Sequence, residues 1–225
     1  MKQSGVRSQE SASRASARIE LPRLYAIVDA GCFGGRAAPT TELLRFAEEL
    51  LAGGASLIQY RNKKGSGSEV LSQARELRRV CGRASKLILN DRADLCVLAG
   101  ADGVHLGQDD LSAEGARVVV GDRLWVGVST HSVEQLRAAD QGPADYLAIG
   151  PVFATSSKEN PDPVVGLEGV RAARAATRRP LVAIGGITTQ NFRAVLEAGA
   201  DSVAVISALL DAPRKSVEQF LRILG

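Results

Sequence analysis

AGADGVHL, Ala99 to Leu106, joins a helix to a strand with no loop between them. The glycine stops a helical pattern, Ala-Asp makes the turn, and an apolar run begins at once. The same step returns at AGADSVAVI (198–206) and GGASLIQY (53–60), with GPADYLAIG (142–150) as a variant. A step used this often predicts a chain of repeated helix-to-strand units with very short turns.

Working outward, apolar runs fall at LYAIV (24–28), SLIQY (56–60), KLILN (86–90), DGVHL (102–106), LWVGV (124–128), DYLAIG (145–150), LVAIG (181–185) and DSVAVI (201–206). They are short and nearly continuous, as parallel strands buried on both faces must be. Helical patterns separate them, such as LLRFAEELLAGG (43–54), SVEQLRAAD (132–140), TQNFRAVLEAGA (189–200) and KSVEQFLRIL (215–224). Eight βα units predict a closed α/β (β/α)8 barrel, a TIM barrel, as a single domain over residues 19–225. An open doubly wound sheet would place G-x-G-x-x-G after the first strand, and VDAGCFGG (28–35) lacks that order.

The 225 residues are 45% hydrophobic and 24% charged, enough for one large core. The net charge of +3 resides in residues 1–18, where Lys2, Arg7, Arg14 and Arg18 face only Glu10, so the remainder is neutral and offers no nucleic-acid face. That Ser- and Arg-rich segment has no apolar periodicity and is expected to be a disordered tail; a transit peptide would share its composition. It has no apolar core of a secretory signal, and no run approaches the roughly 18 apolar residues of a membrane span. Cys32, Cys81 and Cys96 have no metal-ligand spacing, and an odd count fits a reduced, cytoplasmic setting. A homo-oligomer is left open.

In such a barrel the functional groups stand at the C-terminal ends of the strands. Gln59, Arg61 and Lys63 share one face by period-two alternation, with Tyr60 and Asn62 on the other. As a charge run with Lys64 they could be a solvated loop; at a barrel mouth they form an anion site. Asn90 and Asp91 could cap a helix starting near Ala93, and Asp110 a helix over Leu111–Val120. Yet Asp91 and Asp110 end successive strands about 4.8 Å apart, where two carboxylates need a cation or a shared proton. Beside an Arg/Lys set the cation would be Mg2+, with phosphate oxygens and waters completing its shell. Asp109 is a neighbour or a cap. His105, mid-strand, reads as a packing histidine, and His131 as the better catalytic candidate. Thr155, Ser156, Ser157 and Lys158 follow the sixth strand. Gly185-Gly186 and Ile206-Ser207 follow strands seven and eight, where barrels bind phosphate through backbone N–H groups; tight turns would also use those glycines. No nucleophile–base pair is evident, which suits departure of a metal-bound pyrophosphate and attack by a second phosphorylated molecule.

The ordered motifs QYRNK, LND, GVHLGQDD, GVSTHS, GPVFATSSK, IGGI and AVIS, over about Leu24 to Leu210, resemble the thiamine-phosphate synthase family. The resemblance implies a transferase that joins hydroxymethylpyrimidine diphosphate to a phosphorylated hydroxyethyl-thiazole, giving thiamine phosphate and pyrophosphate. It implies that Gln59, Arg61, Lys63, Asn90 and Lys158 bind the pyrimidine diphosphate and that Asp91 and Asp110 hold Mg2+. Ser129 would face the pyrimidine or the leaving pyrophosphate. Thr155, Ser157, Gly186, Ile206 and Ser207 would hold the thiazole phosphate. Arg61, Lys63, Lys158 and Ser129 would act in catalysis. The chain departs from the family at Asn62, where Glu is usual, and at Ser157, where Thr is commoner. The alternatives are a thiazole tautomerase-like barrel, which needs no diphosphate site, and a non-catalytic thiazole-phosphate sensor.

Overall fold

The computed structural model describes residues 19–33, 40–155 and 162–224; the expected tail over 1–18 lies outside them. Strands β1 (Leu24–Asp29), β2 (Leu57–Arg61), β3 (Lys86–Asn90) and β4 (Gly103–Leu106) are followed by β5 (Trp125–Thr130), β6 (Tyr146–Ile149), β7 (Leu181–Ile184) and β8 (Ser202–Val205). They pair in chain order, all parallel, and β8 closes on β1 through Tyr25 opposite Ala204. Helices α1 (Thr40–Ala52), α2 (Gly67–Cys81), α3 (Ala93–Ala99) and α4 (Ala113–Val120), then α5 (Val133–Asp140), α6 (Gly166–Ala176), α7 (Phe192–Glu197) and α8 (Pro213–Leu224), each follow a strand. This is the (β/α)8 barrel that the eight apolar runs predict.

Alternation along the strands sorts the core into two layers. Tyr25, Ile27, Leu57, Ile88, Tyr146 and Val182 pack inside the barrel. Leu24, Ala26, Val28, Ile58 and Tyr60 point outward, into the larger layer shared with the helices. Both faces of the strands are therefore apolar, which is why they read as unbroken runs.

The recurring Ala-Asp step has a physical cause at the barrel's base. Asp102 Oδ2 accepts the Leu87 N–H at 2.8 Å and pairs with Arg78 of α2. Asp145 Oδ2 accepts the Val126 N–H at 2.8 Å and pairs with Arg117 of α4 at 2.7 Å. Asp201 Oδ2 accepts the Leu181 N–H at 2.8 Å and pairs with Arg174 of α6 at 2.8 Å. Each arginine also donates to carbonyls of the turn that ends its own helix, Arg117 to Gly121 and Leu124, for instance, and Arg117 reaches the Pro143 carbonyl in the turn before β6 as well. The glycine before the aspartate sits where only glycine is comfortable: Gly100, at φ 67°, returns its N–H to the carbonyls of Cys96 and Val97. In GGAS a serine stands where the aspartate would be, and what remains is the backbone bond to the next strand, from the Lys86 N–H to the Ser56 carbonyl, matching that from Trp125 to Asp102.

Burial raises the Asp102 pKa, but the Leu87 N–H, Lys86 and Arg78 together outweigh it and hold the carboxyl below its usual range. A carboxylate lowered on folding contributes stability above its unfolded value and loses it as pH falls through the folded value. Asp102→Asn should therefore cost about 2 kcal/mol at neutral pH, the order of a charge-assisted hydrogen bond. The deficit should shrink as pH drops below about 4. Urea unfolding at a series of pH values checks both.

Candidate active site

A cavity of about 490 Å³ opens at the C-terminal end of the barrel. Gln59, Arg61, Lys63, Asn90, Asp91 and Asp110 line one side of its mouth and floor; Ser129, Thr155, Gly186, Ile206 and Ser207 line the rest. The sequence reading places all of these at one site, and the structure brings them together. Ser157 and Lys158 lie outside the described residues.

The acidic pair is the most constrained part. Asp91 follows β3 at φ 63°, the left-handed region that Asp tolerates better than most residues, and it is the one non-glycine there among the described residues. Its carboxyl meets Lys63 Nζ at 2.6 Å and hydrogen-bonds Asp110. Burial first, and then the hydrogen bond to Asp110, raise the Asp91 pKa to about 6 against the opposing pull of Lys63. Asp110 goes the other way: burial raises it, but the bonds from Asp91 and the Gly107 N–H, with Lys63 nearby, bring it below the usual carboxylate range. Two carboxylates in contact repel unless a proton or a cation lies between them, and they offer hard oxygens to such a cation. No group of three or more His, Cys, Asp and Glu side chains able to hold a metal occurs among the described residues. Two carboxylates and an open cavity suit Mg2+, which keeps waters and takes phosphate oxygens, better than a closed protein cage.

The capping alternatives do not hold. α3 is led by Arg92, with no side-chain cap bond, and α4 starts at Ala113 with the Ser112 hydroxyl accepting the Gly115 N–H. Asp110 lies too early for that role and turns back to Gly107, so the helix expected over 111–120 begins two residues late. Asp109 lines the cavity and is exposed.

Arg61 and Gln59 are held from below by residues that the sequence reading passed over. Asp29, opposite Arg61 in the β1–β2 register, pairs with its guanidinium and also accepts the Gly31 N–H at 2.9 Å. Gln59 Nε2 donates to the Tyr25 hydroxyl at 3.0 Å. The signal was available: alternation puts Tyr25, Ile27 and Asp29 on one face of the first strand, with a carboxylate at its functional end. Asn62 points away, as alternation predicts, donating to the Tyr60 hydroxyl at 3.2 Å and accepting the Gly65 N–H at 2.8 Å. His105 is a buried, hydrogen-bonded histidine on the cavity floor, and burial lowers its pKa to about 4. His131 donates Nδ1–H to the Gly150 carbonyl at 2.7 Å, with Nε2 3.5 Å from Asp162.

On the opposite wall the two readings of Gly185-Gly186 meet. The segment after β6 keeps pairing with β7: Val152 N–H reaches the Ile184 carbonyl at 2.9 Å and Phe153 N–H the Gly185 carbonyl at 3.0 Å. A Cβ on Gly186, at φ 63°, would stand 2.5 Å from the Ala154 carbonyl oxygen. Glycine serves both the turn and the close approach that brings Thr155 to the cavity wall.

A family model described as thiamine monophosphate synthase matches residues 24–209. The chain belongs to the thiamine monophosphate synthase family. Among its relatives, the thiamine-phosphate synthase of Koribacter versatilis is 62% identical over 92% of this chain and 97% of that protein. That of Chloroflexus aurantiacus is 42% identical over 84% and 86%. The solved thiamine phosphate pyrophosphorylase of Pyrococcus furiosus superposes with a TM-score of 0.79 at 34% identity, covering 90% of this chain and 95% of that one. The chain is thus a transferase of the thiamine-phosphate synthase family, and the tautomerase-like and sensor alternatives fall away.

Gly186→Ala should lower thermal stability by about 1–3 kcal/mol, from the left-handed backbone and the displaced carbonyl. It should lower thiamine phosphate formation further than the fraction unfolded explains, measured by calorimetry alongside product formation.

Proposed function

We propose that this transferase joins hydroxymethylpyrimidine diphosphate to phosphorylated hydroxyethyl-thiazole by a dissociative substitution, and that the cavity divides between the two substrates. The observation that carries this reading is the asymmetry of the walls. On the β2–β4 side Arg61 pairs with Asp29, and Lys63, Asp91 and Asp110 form a second linked set with Asp109 exposed beside them, whereas the β7–β8 side is backbone and small polar groups at Gly186, Ile206 and Ser207.

Arg61 and Lys63 bind and orient the diphosphate, with Asn90 beside them; Lys158, later in the sequence than β6, is given the same role. Asp91 and Asp110 would hold Mg2+, which when bound supplies positive charge to the diphosphate oxygens. As the C–O bond to pyrophosphate lengthens, the negative charge gathering on the leaving group falls among cationic side chains already in place. Gln59 and Ser129, on the floor, hold the pyrimidine ring. Thr155, Ser157, Gly186, Ile206 and Ser207 hold the thiazole phosphate so that the thiazole nitrogen faces the electron-deficient methylene carbon. The nitrogen attacks with its own lone pair, so the step requires no proton acceptor.

The same reading places the enzyme in the cytoplasm, acting on small molecules with no membrane or nucleic-acid partner. All three cysteines are free thiols, as a reducing compartment maintains them. No described helix is long and apolar enough to cross a membrane.

With both substrates present, pyrophosphate release should stop on EDTA treatment and return with added Mg2+. Asp110→Ala should lower kcat at least about a hundredfold, the order of losing one preorganised electrostatic partner; activity unchanged in this variant would refute the metal assignment. Lys158→Ala should reduce kcat by a similar factor of about a hundred with KM for the thiazole phosphate within about twofold. Steady-state kinetics in each substrate separate that outcome from an equal loss in both constants.

A further inference from the structure

Five side chains from five strands make an unbroken line through the cavity floor. Gln59 Nε2 donates to the Tyr25 hydroxyl at 3.0 Å, and the Tyr25 and Tyr146 hydroxyls are 3.1 Å apart. Tyr146 OH lies 3.0 Å from His105 Nδ1, and His105 Nε2 lies 2.8 Å from Ser129 Oγ. Tyr25, Tyr146 and His105 are buried. Gly127 of β5 makes room for the central ring: a Cβ there would fall 2.1 Å from Tyr146 Cζ.

In a buried line each proton has only one place to go. A phenol carries one proton and a neutral imidazole one N–H. Because Tyr25 accepts from Gln59, its own proton must go to Tyr146; a stranded hydroxyl here would be costly. Tyr146 must then donate to His105 Nδ1. The ring proton is therefore on Nε2 and is given to Ser129 Oγ. The Ser129 proton is left to point into the cavity, and at the other end the Gln59 Oε1 lone pairs are left to face it.

We infer that this line is a directional relay that presents Ser129 as a donor and Gln59 Oε1 as an acceptor, and so selects an aminopyrimidine over its oxo counterpart. The inference deepens the proposed function and rests on the pyrimidine lying over this floor. An aminopyrimidine offers an exocyclic N–H₂ donor and ring-nitrogen lone pairs, the complement of these two ends. The oxo analogue offers a carbonyl and a ring N–H, which reverses the pattern. Tyr25, Tyr146 and His105 are positioning residues: they act on the ligand through Gln59 and Ser129. The ends are coupled, because reversing the first hydrogen bond reverses every one after it. A carboxylate at position 59 can only accept. Tyr25 must then donate to it, Tyr146 to Tyr25, and His105 to Tyr146 through Nδ1–H.

The test reads the His105 tautomer by ¹⁵N NMR of the full-length chain, which has only two histidines to assign. The wild type should show Nε2–H on His105. Gln59→Glu at pH 8 should move the proton to Nδ1, two tyrosines away from the substitution. Nδ1–H in the wild type, or the same tautomer in both proteins, overturns the relay, and the wild-type spectrum decides even if the variant folds poorly. A kinetic arm addresses selectivity. Tyr146→Phe should raise KM for the aminopyrimidine diphosphate about tenfold, the worth of roughly one hydrogen bond, with kcat and the thiazole phosphate KM nearly unchanged. Equal losses in all three constants would mark general packing damage and overturn the positioning role. Absence of pyrophosphate release in the wild type would refute the proposed function instead, leaving the tautomer result to stand or fall by itself.

Discussion

Three aspartates at the feet of β4, β6 and β8 fix the base on which the rest of the molecule stands. A parallel barrel has no hairpins to set its register, and each strand must be started at the right height. Asp102, Asp145 and Asp201 do this by accepting the first N–H groups of the preceding strand while holding an arginine of the helix before it. The arginine in turn ties the carbonyls of its own turn, so helix end, strand start and the next turn are joined through one ion pair. Hydrogen bonds to charged groups are the stronger kind, and the Arg117–Asp145 pair is also the best shielded from water of the three. With the base held in this way, the opposite rim is free to carry groups chosen for chemistry rather than for stability.

The rim shows the difference. Asp91 takes a left-handed backbone, sits against a second carboxylate and draws in Lys63, an arrangement that costs folding energy and makes sense only with a ligand to receive. Asp29 and Arg61 beside it are paired, so the guanidinium is aimed before any phosphate arrives. Across the cavity, Gly185 and Gly186 let a second segment of backbone approach. One rim thus carries two unlike walls, one built from charge and one from backbone.

Much of this was legible in the chain because it depends on periods. The Gly-Ala-Asp step announced the strand starts, and alternation placed Gln59, Arg61 and Lys63 on the cavity side and Asn62 off it. What escaped depends on contacts between distant strands. Nothing local in LYAIV or DYLAIG says that Tyr25 and Tyr146, 121 residues apart, bring their hydroxyls together. Asp29 looked like the end of an apolar run until register set it opposite Arg61. The capping role considered for Asp110 failed for a local reason: Ser112, two residues on, satisfies the Gly115 N–H and leaves the carboxylate to Gly107. The clamp itself was visible as a repeat before its partners were known, since the arginines lie a variable distance upstream.

The spacing of those clamps has a consequence for how such a barrel can change. Each one binds a helix–strand–helix–strand block: α2 to β4, α4 to β6, α6 to β8. The seams between blocks fall after β4 and β6, in the loop carrying Gln108 to Asp110 and in the stretch from Gly150 that leads to Thr155. Insertions, deletions or wholesale exchange at those seams leave all three clamps intact. The molecule is modular along the same joints that bear its reactive loops, so variation in chemistry and preservation of the scaffold are not in competition.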